Sequence, residues 1–288
     1  MKLVTFHCRG RHSIGKVVGQ QVIDLPASDS ALPTSMLALL QGGPALMQRA
    51  HAVALPQAVT YPLADVTLSA PVPNPSKFLA IGMNYRKHVA EAIAAGIKVP
   101  DSQVWFNKQV SCVNGPFDPI QMPKVSDKLD YEAELGVVIG QRCRHVSEAD
   151  APSVIAGYVV CNDVSVRDWQ MRSPTMMLGK SFNTHGPFGP WIVTPDEIAD
   201  PHQLSMRMLV NGEVRQEVNT GEMIYNIWQQ IAYLSTVMTL EPGDVLATGT
   251  PSGVGIAHTP PKFLKVGDVA RVEIDGVGHI ENTVVMEA

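Results

Sequence analysis

Asp130-Tyr131-Glu132-Ala133-Glu134-Leu135 sets two glutamates two residues apart at the head of an apolar run, Leu135-Gly136-Val137-Val138-Ile139-Gly140. In a strand, residues i and i+2 share a face, and their side chains leave the backbone about 6.6 Å apart, close enough to lean onto one ion. On an exposed edge such a pair is ordinary. On a buried face each charge costs several kcal/mol unless something cancels it, and a hard divalent cation would do so. A third carboxylate, Asp163, follows Asn162 at the end of another strand-like run, Gly157-Tyr158-Val159-Val160-Cys161. Alone it reads as a turn or cap residue. Together, Glu132, Glu134 and Asp163 form an all-oxygen triad that favours magnesium or manganese, with calcium admissible, over zinc or copper. Ligand positions left open suit a Lewis acid that polarises a carbonyl or chelates a keto acid.

Three further groups could complete such a site. His88 and Glu91 are three apart in a helix-like stretch from Tyr85 to Ala95. They share a face there, so Glu91 can orient His88 as a base toward water, although exposed helices carry such pairs too. The Ala94–Pro100 segment, with Gly96 and Pro100, gives that helix a weak end and the character of a lid. Arg167 and Gln170 could grip a substrate carboxylate, and Lys180, between Gly179 and Ser181, could stabilise an enolate or oxyanion. Leu246 to Gly255 is a Gly-rich turn after a strand; it lacks the Gly-Lys-Ser/Thr ending of a phosphate loop. Its better reading is a tight loop presenting the Thr250 hydroxyl and backbone amides to a ligand.

These residues need strands to carry them. Strand-length apolar runs recur at 78–81, 135–139, 157–161, 191–193, 205–210, 245–248 and 270–274, with helices mainly at 85–95 and 223–237. Asn211-Gly212 predicts a hairpin, and Glu241-Pro242-Gly243-Asp244 a turn. Upstream, strands at 2–6, 13–18 and 21–24, helix-like runs from Ala31 to Gln41 and beyond, and a strand at 64–68 outline a small unit. Pro71, Pro73 and Pro75 follow as a stiff linker. The expected division is therefore a small N-terminal α+β domain over 1–68, a Pro-rich linker over 69–76 and a strand-rich domain over 77–288.

A formal charge of -5, with no Lys/Arg cluster, excludes nucleic acid as the expected partner. Cys8, Cys112, Cys143 and Cys161 show no Cys-x-x-Cys spacing, so reduced thiols are expected rather than a zinc or redox site. With no signal-like start and no apolar span of about 18 residues, a soluble cytoplasmic protein without membrane contact is the expectation.

As a set, these residues resemble the fumarylacetoacetate hydrolase family from about Asn74 to the C-terminus. The motifs are Gly82-Met83-Asn84-Tyr85 with His88 and Glu91; Tyr131-Glu132-Ala133-Glu134-Leu135; and Asn162-Asp163-Val164-Ser165 with Arg167-Asp168. They continue through Gly179-Lys180-Ser181-Phe182, Gly189-Pro190-Trp191 and Leu240 to Pro251 in one order. The resemblance implies an α+β, mixed β-roll fold and a homodimer. It also implies magnesium or manganese on Glu132, Glu134 and Asp163, and water activation by His88 and Glu91 on a lid helix. Lys180 would then serve the substrate oxygens, with Arg167, Gln170 and Thr250 near the substrate. The implied reaction is metal-dependent hydrolysis of a C–C bond in an acylpyruvate-type β-diketo acid. The same site in the family also supports decarboxylation of oxaloacetate-like acids or isomerisation of a 2-hydroxy-dienoate; a non-catalytic keto-acid binder is the remaining alternative. Three departures stand out: Asn183 and His185 where the family commonly has Asp and Phe, and Asn114 where an apolar residue is common. They bear on the site's surroundings and on which substrate it takes.

Overall fold

The computed structural model of the chain describes residues 1–94 and 96–288. Ala133–Ile139 and Ile155–Asn162 are buried along their whole length, as Val/Ile-rich strands covered on both faces must be. They pair antiparallel with Ala133 opposite Asn162. Val245–Ala247 sits on the other side of Ala133–Ile139, antiparallel to it and parallel to Phe78–Gly82. Val104–Lys108 closes that edge, with Phe106 opposite Ala80. This last strand escaped the sequence reading, although Val104-Trp105-Phe106 has β-favouring residue types.

In the opposite direction Gly186–Val193 pairs with Ile155–Asn162 and then with Lys2–Cys8, where Lys2 faces Val193. Arg11–Val18, Gln21–Asp24 and Thr60–Pro62 extend the same sheet outward. Strands before and after the Pro-rich stretch thus share one sheet. The stretch itself packs down: Ala70 and Val72 are buried, and the Pro71 carbonyl accepts the Thr5 hydroxyl at 2.7 Å. A second sheet runs Glu213–Asn219, Ser205–Val210, Val269–Ile274, Gly278–Met286, Ile120–Met122. The architecture is strand-rich, with mixed pairing and few helices, as the sequence predicts. Asn211 and Gly212 both have positive φ, 52° and 81°, the geometry of the expected two-residue hairpin turn.

Two helices begin later than their apolar patterns suggest, and capping is the reason. Ile227–Val237 starts at Asn226: its side chain accepts the Gln229 N–H at 2.9 Å, and the Gln229 side chain returns the bond to Asn226 N–H at 3.0 Å. Met223 lies outside it, bridged to Tyr85. Met36–Gln41 starts at Ser35, which caps the Ala38 N–H, so residues 31–34 around Pro33 are not helical. The helix bearing His88 spans Arg86–Ala94. Ala95, to which the sequence pattern extended it, lies outside the described residues. Among the described residues no helix is long and apolar enough to cross a membrane. All four cysteines are buried and unpaired.

Candidate active site

The register that puts Ala133 opposite Asn162 also puts Glu132 beside Asp163, whose N–H donates to the Glu132 carbonyl at 2.9 Å. Glu134, two residues on, joins them. All three are buried, and each offers a carboxylate oxygen within 4.8 Å of the others. Cations surround the group. Lys180 Nζ donates to Glu132 Oε2 at 2.7 Å and to Asp163 Oδ2 at 2.8 Å. Lys108 Nζ donates to Asp163 Oδ1 at 2.6 Å and to the Lys180 carbonyl. Arg167 donates through Nε to Asp130 at 2.8 Å, and through Nη1 to Glu132 at 2.7 Å and Gln170 at 2.9 Å.

Four buried carboxylates, Asp130, Glu132, Glu134 and Asp163, thus meet three buried cations, Lys108, Arg167 and Lys180, leaving one negative charge over. The surplus falls on Glu134. Burial opposes the charge of Glu132, yet Lys180 and Arg167 hold its carboxyl down at about 2. Among the described residues no lysine or arginine is in salt-bridge range of Glu134; burial, then Asp163 and Glu132, push it well above the usual carboxylate range. Burial likewise opposes the charge of Lys108, and the Asp163 carboxylate overcomes it and raises the ammonium's pKa. Three hard oxygen donors converging with an uncompensated charge fit a divalent cation such as magnesium or manganese.

The Gly-rich loop supplies the amides, but to the chain's own carboxylates rather than directly to a ligand. Gly249 N–H donates to Glu134 at 2.7 Å, Gly253 N–H to Glu91 at 2.9 Å, and Gly255 and Ile256 N–H to Asp130 at 2.7 and 2.9 Å. Glycine is required at 249: its φ is +104°, and a Cβ there would stand 2.6 Å from that of Asn84. Asn84 in turn ties the loop down through the carbonyls of Thr248 and Tyr225. Glu91, held by Gly253, bonds His88 Nδ1 at 3.0 Å with its other oxygen.

His88 and Glu91 line one cavity of about 180 Å³ together with Glu132, Arg167, Gln170, Lys180 and Thr250. Glu134 and Asp163 are not among its lining residues and connect to it through their grouping with Glu132. Thr250 is positioned by Gln216, whose Nε2 donates to its hydroxyl at 2.9 Å while Oε1 accepts the Ala133 N–H at 2.9 Å. Sequence reasoning missed Gln216, which no local pattern marks, and Lys108, for which a lysine ending a strand of buried type was the available signal. Asp130 was visible only as a neighbour of the Glu pair. Of the departing positions, neither Asn114 nor Asn183 nor His185 lines the cavity. Asn114 bonds the Pro119 carbonyl at 3.0 Å. His185 is fully buried with Nε2 at 2.8 Å from the Gln121 carbonyl, and burial lowers its pKa to about 4.

A family model described as fumarylacetoacetate (FAA) hydrolase C-terminal matches residues 77–285. The chain is 44% identical over 269 residues to the mitochondrial oxaloacetate tautomerase of Xenopus laevis, spanning 93% of this chain and 83% of that one. It is 42% identical over 293 residues to a human mitochondrial oxaloacetate tautomerase, spanning 99% and 92%. Its structure matches that of maleylpyruvate hydrolase from Sphingobium sp. SYK-6 in complex with manganese(II) and pyruvate, with TM-score 0.84, 34% identity and full coverage of both chains.

Proposed function

The chain belongs to the fumarylacetoacetate hydrolase family, and from that premise we propose that it hydrolyses a C–C bond of an acylpyruvate-type β-diketo acid, with a divalent metal, to a carboxylate and a 2-keto acid. The observation that carries this reading is the His88–Glu91 pair set on the same cavity as Glu132 and Lys180. Glu132, Glu134 and Asp163 would hold magnesium or manganese, which when bound supplies Lewis-acid polarisation of the keto oxygens. The manganese and pyruvate in the related hydrolase support that assignment.

The side chains divide the remaining work. Arg167 Nη2, buried without a partner among the described residues, and the Gln170 amide take the substrate carboxylate. His88 engages Glu91 through Nδ1, which leaves Nε2 to accept a proton from water. The resulting hydroxide adds to the distal carbonyl, and the C–C bonding pair passes into the enolate of the 2-keto acid. The Lys180 ammonium steadies that enolate, which then takes a proton at carbon. Thr250, whose hydroxyl accepts from Gln216, is left to donate its own proton to the substrate. Among its described residues the Arg86–Ala94 helix buries only Ala92, so little packing opposes its lifting as a lid.

A second reading, keto–enol tautomerisation of an oxaloacetate-like acid, is favoured by the identity to the two tautomerases. There His88 would move a proton between C3 and the enol oxygen without activating water. Acetylpyruvate separates the two. Decay of its enol absorbance on adding magnesium to metal-stripped protein, with stoichiometric pyruvate, is the expected result. Glu132→Ala should lack it, and His88→Ala should lose at least about a hundredfold in rate. Loss of enol without pyruvate would transfer the assignment to tautomerase.

A further inference from the structure

The wall of the cavity changes character with distance from the carboxylates. Val104, Phe106 and Lys108 alternate onto one face of their strand, and a strand rises about 3.3 Å per residue. Lys108 grips Asp163; Phe106 comes next, with Lys180 Nζ 4.9 Å above its ring; Val104 lies farthest out. Met176, Val254 and Ala257 add to the apolar lining, with Ile81, Ile97 and Ile256. Both lysine or arginine side chains on the lining, Arg167 and Lys180, bond the carboxylate cluster. Among the described residues that line the cavity there is no further lysine or arginine to meet a charge at the Val104 end.

We infer that the part of the substrate beyond its fourth carbon is an uncharged alkyl or aryl tail, and that a tail ending in a carboxylate is rejected. This rests on the keto-acid reading above and adds the specificity of the distal wall. A terminal carboxylate seated against Val104 and Phe106 would lose its hydration and gain no partner, whereas a methylene there leaves water for an apolar surface. Chain growth should therefore tighten binding by about fourfold per methylene until the cavity is filled.

Calorimetric titration of the magnesium-loaded protein with pyruvate, 2-oxohexanoate and 2-oxoadipate tests this without any turnover. The last two share a six-carbon backbone and differ at the far end, methyl against carboxylate. The expected order is 2-oxohexanoate tightest, with 2-oxoadipate at least about tenfold weaker. Val104→Lys should narrow or reverse that gap by giving the wall a cation. Equal or tighter binding of 2-oxoadipate to the unaltered protein, with pyruvate bound normally, overturns the apolar subsite and leaves the keto-acid reading standing. Failure of all three acids to bind overturns both.

Discussion

Lys108 and His185 do not face the cavity, yet one bears on the charge of the carboxylate cluster and the other on the acid stability of the fold. Lys108 is wholly buried, and its partner Asp163 cannot reach water if the ammonium is removed. Lys108→Met should thus cost up to about 3–5 kcal/mol of stability, read from urea unfolding, because it leaves the buried cluster one more cation short, with Lys180 alone on Asp163; a cost under about 1 kcal/mol would deny the pair this role. His185 acts on pH dependence. Its folded pKa, lowered by burial from 6.5 to about 4, means that the unfolded chain binds the proton more readily between those values. Stability is retained above the unfolded pKa and is lost as pH falls from about 6.5 toward 4, by about 3 kcal/mol in all. His185→Phe should remove that acid-side loss, so unfolding curves of the two proteins should converge or cross on acidification. Parallel curves would show that His185 titrates normally.

At the level of elements, the loop from Thr248 to Ile256 binds strand ends, dyad and carboxylates into one unit through its N–H groups. Gly249→Ala should destabilise by more than about 1 kcal/mol, since it combines a positive φ with a Cβ crowding Asn84. Because the same backbone supports Glu134, manganese titration should show weakened affinity as well; unchanged affinity would separate the loop from the metal site. This loop also marks where sequence reasoning reached its limit. The Glu132/Glu134 spacing, the Asp163 strand end and the Asn211-Gly212 turn are local patterns; the structure forms the turn and brings the three carboxylates together, with Glu132 just ahead of the strand that carries Glu134 rather than on it. The destinations of the loop amides, the Gln216 support of Thr250 and the Lys108 contact are long-range pairings with no local signature. The late starts of Met36–Gln41 and Ile227–Val237 are legible in principle, because Ser35 and Asn226 are capping residue types, but the helix-like pattern runs past them and masks the caps.

Over the whole molecule, the single uncompensated negative charge would make a divalent cation at the triad a stabiliser as well as the reagent of the proposed chemistry. Magnesium or manganese at a hundred times its dissociation constant should contribute about 2.7 kcal/mol and raise the melting temperature by about 5 °C or more over chelator-treated protein. Glu134→Gln, which neutralises the surplus, should abolish most of that rise. A melting temperature indifferent to both metals would remove the triad as their site. The central sheet has a further consequence, for the order of events at the ribosome. Val245–Ala247 is inserted between Ala133–Ile139 and Phe78–Gly82, and Lys2–Cys8 must wait for Gly186–Val193. Translation therefore releases most of the chain before its central strands have all their neighbours, and these late pairings delay closure of the sheet. Gly249, which supports Glu134, is made only after that final inserted strand, so the carboxylate triad cannot take its finished form on a nascent chain until synthesis is nearly over.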